Sequence, residues 1–147
     1  MADKSPIQQC AVLAFRQNKN RLKIALVTSL ETRRWVLPKG NIEADKSARA
    51  SAAMEAYEEA GLEGTVAKHC IGTYRYEKTE NKGGAMLKVA VFPMVVSKVR
   101  HKWPEKDVRR RKWMTIDDAV SAVQEKDLKK LIAEFGTEFE RGKIAKT

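Results

Sequence analysis

The sequence predicts a sandwich of helices on a mixed sheet, of the α/β or α+β kind. Short runs rich in β-branched and aromatic residues recur along the chain, an alanine-rich helical segment interrupts them, and two helical patterns close it. At 147 residues the chain is most simply one domain, covering 1–147 with flexible ends at 1–7 and 141–147, and is long enough to bury a core without staples.

The elements follow in order. Segments 8–15 and 22–29 are short, apolar and partly β-branched, and the polar stretch RQNKN between them makes them a hairpin. A short strand, RRWVLP, starts at Arg33, after which Pro38 and Gly40 break the pattern. A helix is predicted over 48–60 from its five alanines, with Gly61 and Leu62 forming a left-handed C-cap and its apolar clasp. Strand-like runs return at 65–76, 86–96 and 109–115, the first long enough to bend or break. Thr115 suits the N-cap of a helix over IDDAVSAVQ, and Leu128, Leu131, Ile132 and Phe135 recur at helical spacing in the last element, as core-facing stripes covering a sheet do.

Composition narrows the function classes. With 43% hydrophobic residues and dispersed charge, the chain reads as an ordinary soluble globular protein. Cys10 and Cys70 match neither a disulfide framework nor a metal knuckle and read as free thiols in a reducing compartment. The N-terminus lacks the apolar core of a secretion signal, and the longest apolar run, VAVFPMVV, is too short to span a bilayer, so a cytoplasmic, non-membrane protein is expected. A formal charge of +10 points to an anionic partner: nucleic acid, nucleotide, membrane surface or a densely phosphorylated small molecule.

One stretch breaks the basic trend. GNIEADKSARASAAMEAYEEAGLEG sets Glu55, Glu58 and Glu59 on one helix with no basic residue among them. Residues 55 and 59 differ by about 40° of helical rotation and 58 lies about 60° to the other side, so the three carboxyls can converge. Like charges at these spacings repel by roughly 0.2–0.5 kcal/mol per pair, and a divalent cation would reward the convergence. Magnesium, a hard ion held by one or two carboxylates, waters and substrate phosphates, suits such a set, and a loop glycine lets a backbone carbonyl approach it.

These residues resemble the Nudix hydrolases, whose box G-x5-E-x7-R-E-U-x-E-E-x-G-U (U aliphatic) is matched in register by Gly40, Glu55, Ala56, Glu58, Glu59, Gly61 and Leu62. Two positions depart: Lys46 replaces a glutamate and Met54 an arginine. WVLPKG and the segment from Trp103 to Ala119 look like the diphosphoinositol polyphosphate phosphohydrolase branch, so the likeness runs over nearly all of 8–135. The resemblance implies a Nudix-type α/β/α sandwich with a mixed sheet. It further implies magnesium, or manganese in its place, held by Glu55, Glu58, Glu59 and the carbonyl of Gly40. The implied reaction is attack of water on a diphosphate linked to another group, with a carboxylate taking the proton. If Lys46 and Met54 replace a structural ion pair, their joint loss strands neither charge, and metal binding with some hydrolysis is expected to persist.

Several basic residues are placed to meet a phosphorylated substrate: Arg34 beside the strand entering the box, Lys39 beside Gly40, Lys88 in an apolar strand, and Arg109. By resemblance, Arg34, Lys88 and Arg109 stand where the inositol pyrophosphate branch is basic. Alternation puts Arg109 and Arg111 on one face and Arg110 on the other. Three readings follow. The first is hydrolysis of an inositol pyrophosphate or dinucleoside polyphosphate. The second is a nucleoside diphosphate-X or nucleotide-sanitising hydrolase, with Tyr74, Tyr76 or Trp103 stacking a base. The third is a non-catalytic module binding RNA or a phosphorylated partner, ranked last because the basic runs lack interleaved aromatics. Glu77 and Glu105 are candidate extra carboxylates that the sequence does not place, and His69 and His101 are too isolated to nominate as bases.

Overall fold

The structure, a computed structural model, describes residues 6–77 and 86–142; the expected flexible ends fall mostly outside them. Strands β1 (Gln9–Asn18), β2 (Arg21–Thr28), β3 (Trp35–Val36) and β4 (Lys39–Asn41) lead into helix α1 (Ala48–Ala60). Then come β5 (Leu62–Val66), β6 (Gly72–Glu77), β7 (Met86–Val99) and β8 (Arg111–Thr115), followed by α2 (Ile116–Ala122) and α3 (Lys126–Glu140).

All described strands belong to one mixed sheet with the path β3-β2-β1-β7-β5, to which β4 adds on β1, β6 on β7 and β8 on β2. Only the central β1–β7 pair is parallel. β1 is buried on both faces, which is why it reads as a continuous apolar run. Its Ala11, Leu13 and Phe15 join the core under α2 and α3, whereas Cys10, Val12 and Ala14 join the core under α1. The α/β/α sandwich is therefore observed, with two cores separated by the sheet.

The β1–β2 hairpin forms, but its turn is tighter than RQNKN. Lys19 and Asn20 alone reverse the chain, at φ 51° and 66°, the geometry that suits the twist of a two-residue hairpin. The long run at 65–76 does break, into β5 and β6, which pair with opposite halves of β7. Lys39–Asn41, expected only as a break, pairs with β1 instead. β8 begins at Arg111, leaving Arg109 and Arg110 in the preceding loop. No helix among the described residues is long and apolar enough to cross a membrane.

Candidate active site

The site begins with the packing of α1. Ser47 caps the helix by accepting a hydrogen bond from the Ala50 N–H, and Gly61 ends it at φ 67°. Ala52, Ala56 and Ala60, spaced one turn apart, are fully buried against small sheet residues, including Cys10, Ala14 and Ala25. Small side chains on both surfaces bring the helix close to β4. A Cβ on Gly40 would consequently overlap the Glu55 carboxyl group. The glycine is needed less for backbone freedom than for the space the carboxylate occupies.

Glu59, one turn beyond Glu55, is only 6% exposed. Its Oε1 accepts from the Lys39 N–H at 3.1 Å and its Oε2 lies 3.2 Å from Arg109 Nη2. Glu55 and Glu59 share a side-chain hydrogen bond. Burial raises the Glu55 pKa to about 7, with the Glu58 charge adding to the effect. Burial also raises Glu59, to about 8, against the pull of Arg109 and with a push from Glu55. Burial thus leaves two neighbouring carboxyls both reluctant to ionise, even with Arg109 beside Glu59.

The convergence of three carboxylates requires correction. Among the described residues no group of three acids is arranged as a ready metal cage. Glu58 acts on Glu55 through its charge, while its backbone oxygen accepts from Glu105 N–H at 3.0 Å. Arg109 takes the remaining place beside Glu59, and its Nε also pairs with Glu105 at 2.7 Å. The pair still fits a divalent cation: magnesium needs only one or two protein carboxylates, and Glu55 stands against Gly40 with raised pKa and, among the described residues, no arginine paired to it. Glu55, Glu59 and the Gly40 carbonyl would hold it, with Arg109 competing for Glu59.

The two departures from the box are structurally benign. Met54 is 36% exposed and Lys46 lies beside Asp45 at 3.8 Å, so neither position leaves a buried charge unpaired. The box loop is tied down by other means: the Glu43 N–H donates to Ser51 Oγ, and Arg49 donates twice to the Val66 carbonyl.

Next to the carboxyl pair opens a cleft of about 240 Å³, lined by Arg34, Lys39 and Arg109 as well as Glu59, Tyr76 and Glu77. Arg34 is held by Glu125 at 2.6 Å, and the other Glu125 oxygen is buried with no hydrogen-bond partner among the described residues. Lys39 sits 4.5 Å over the Tyr76 ring, and its pKa is lowered chiefly by burial. Lys88 is not brought to this lining: it is 8% exposed within β7, opposite Arg75. Of the aromatic candidates only Tyr76 lines the cleft; Tyr74 is fully buried and Trp103 packs on Gly61. Glu105 and Glu125 are the functional neighbours that sequence reasoning left unplaced or missed. The Arg34 partner of Glu125 lies 91 residues away, so no local pattern marks it, whereas Glu105 pairs with Arg109 four residues on and reaches the site through that arginine.

The raised pKa values carry a pH dependence. An ordinary glutamate near 4.5 that rises to about 7 or 8 on folding stabilises the fold at low pH, and that stability is lost as pH climbs through the folded values. In chelator, the melting temperature is expected to fall between about pH 5 and pH 8.5, and added magnesium, which favours the ionised pair, to raise it more at the upper end. Scanning fluorimetry checks this; a magnesium effect larger at pH 5 would contradict it.

A glycine-backed carboxyl pair on the first helix of this sandwich, facing a cleft that holds Arg34, Lys39 and Arg109, defines a class. Residues 8–135 match the family model of the NUDIX domain, and the chain belongs to that family. Among curated proteins it is similar to Nudix hydrolase 16, mitochondrial, of Arabidopsis thaliana: 28% identity over 129 residues, 85% of this chain and 71% of that protein. Diphosphoinositol polyphosphate phosphohydrolase 3-alpha of Mus musculus is 25% identical over 119 residues, 80% of this chain and 69% of that one. Six other plant relatives are matched over only 48–61% of their length. Among solved structures, a C. elegans Ap4A hydrolase superposes with a TM-score of 0.68 at 18% identity, over 90% of this chain and 98% of that chain, which is a likeness of fold.

Proposed function

We propose that the protein is a magnesium-dependent hydrolase of a diphosphate linkage in a phosphorylated small molecule, an inositol pyrophosphate or a dinucleoside polyphosphate. The observation that carries this reading is the Glu55–Glu59 pair seated on Gly40 beside a cleft lined by Arg34, Lys39 and Arg109. Arg34 and Arg109 offer planar guanidinium donors to phosphate oxygens, and the carboxylates that hold them fix their position. Lys39 places its backbone N–H on Glu59 and its ammonium at the cleft, so one residue orients the acid and meets the anion. A carboxyl with a pKa of about 7 or 8 can take a proton from attacking water near neutral pH. Magnesium, when bound, supplies charge neutralisation at phosphate oxygens and a more acidic water.

A second reading, hydrolysis of a nucleoside diphosphate-X, is favoured by the balance of the cleft. Arg34, Lys39 and Arg109 are matched there by Glu31, Glu59 and Glu77, a lining suited to two or three phosphates better than to a fully phosphorylated ring. A substrate panel of inositol pyrophosphates, dinucleoside polyphosphates and nucleotide sugars, run with magnesium and with chelator, tests both. Magnesium-dependent release of phosphate-containing product is expected from at least one class. Silence across the panel would defeat the enzyme reading.

A further inference from the structure

The formal charge of +10 is not consumed by the cleft, whose lining holds three basic and three acidic side chains. Much of the excess lies in two acid-free stretches, RQNKNRLK at 16–23 and RRRK at 109–112. The sheet sets them side by side. Arg16 pairs with Lys23 across the hairpin, and β2 pairs Ala25 with Trp113 and Val27 with Arg111. Because side chains directly opposite share a face, Arg16, Lys23, Arg111 and Trp113 stand on the α1 side of the sheet, where Ala25 and Val27 enter the core under α1.

On that face cations and indoles are interleaved. The Arg16 guanidinium lies 4.0 Å over the Trp113 ring, and that of Arg111 lies 4.3 Å over Trp103. Arg111 donates to the carbonyls of Ala60 and Arg100, not to a carboxylate. Arg16 has no acidic partner among the described residues either. The two arginines are near enough for the Arg16 charge to depress the Arg111 pKa, after burial. Trp103, Arg111, Arg16 and Trp113 thus form a row in which two guanidiniums, each backed by an indole, neighbour one another without an anion.

We propose that this face is a binding surface for single-stranded nucleic acid, separate from the cleft. Phosphates would neutralise Arg16, Arg111 and Lys23, and bases would stack on the guanidinium planes that the indoles back, whatever their sequence. Flat tiers of indole and guanidinium suit planar bases better than lipid headgroups. The interleaving is invisible along the chain because each arginine and its indole come from separate segments.

Fluorescence anisotropy with a labelled 20-nucleotide oligouridylate tests the surface, with a chelator present so that the cleft chemistry is silent. Binding is expected at low salt, weakening steeply as salt rises. Arg16→Gln combined with Lys23→Gln is expected to lower affinity by about tenfold and make the log-log salt slope shallower by about 2. Trp113→Leu, which removes the ring that backs the Arg16 guanidinium, is expected to weaken binding by a similar factor. Lys23→Glu alone, a substitution outside the core, gives the same direction if the other variants melt early. No oligonucleotide binding by the wild-type protein, wild-type affinity in folded Lys23→Glu, or binding to phosphatidylserine vesicles in place of the oligonucleotide would each overturn the proposal.

Discussion

Glu59→Gln is expected to reduce diphosphate hydrolysis by about 10²–10⁴-fold, the range spanned by loss of a positioned proton acceptor. The amide retains an oxygen for the Lys39 N–H but loses the charge that faces Arg109 and the capacity to hold a proton. The fold is expected to survive, because Arg109 keeps Glu105 and the Thr28 carbonyl, and because a neutral side chain next to Glu55 relieves repulsion between the two acids. Glu58→Gln provides the contrast. Glu58 acts on Glu55 through its charge and has no such effect on Glu59, so its loss should lower the rate by a smaller factor. Steady-state kinetics on the best substrate separate the two; equal effects would mean that the pair has no special role.

The second large effect is on stability. Gly61→Ala is expected to destabilise the protein by roughly 3 kcal/mol, lowering the melting temperature by about 10 °C. Two causes add. The residue sits at φ 67°, where an L side chain is strained, and its Cβ would press into the Trp103 indole, at 2.7 Å from the nearest ring atoms. That indole also closes the helix: Trp103 Nε1 donates to the Glu59 carbonyl, Glu105 N–H to that of Glu58, and Arg111 Nη1 to that of Ala60. Three successive carbonyls that a helix end leaves open are thereby satisfied by one segment. Displacing Trp103 therefore loosens the turn that carries Glu59. Differential scanning calorimetry reads the loss, and an unchanged melting temperature would show that the indole yields without penalty.

Local chemistry made much of this legible in advance. The extent of α1 follows from its alanines and the Gly61–Leu62 ending, with the Ser47 cap added by the structure, and the β1–β2 hairpin follows from two apolar runs flanking a polar turn. Sequence spacing could also place Glu55 and Glu59 one turn apart. It could not show that Arg109 inserts next to Glu59, because the loop carrying Arg109 is brought to α1 by long-range contacts: the pairing of β8 with β2 and the bonds from Trp103 and Glu105 to the helix end. The short β4 strand falls where the sequence shows only a break, for the same reason: Lys39–Asn41 has no strand propensity of its own and is held by its register with β1. Lys88 shows the opposite failure, a charged residue in an apolar strand that looked functional and lies outside the cleft lining.

The most direct test of the carboxyl pair as a cation site is anomalous diffraction from crystals soaked in manganese near pH 8. A peak bounded by the Glu55 and Glu59 carboxyls and the Gly40 carbonyl is the expected result, with Arg109 withdrawn from Glu59. A peak elsewhere, or none while the Arg109–Glu59 pair stays closed, would contradict it.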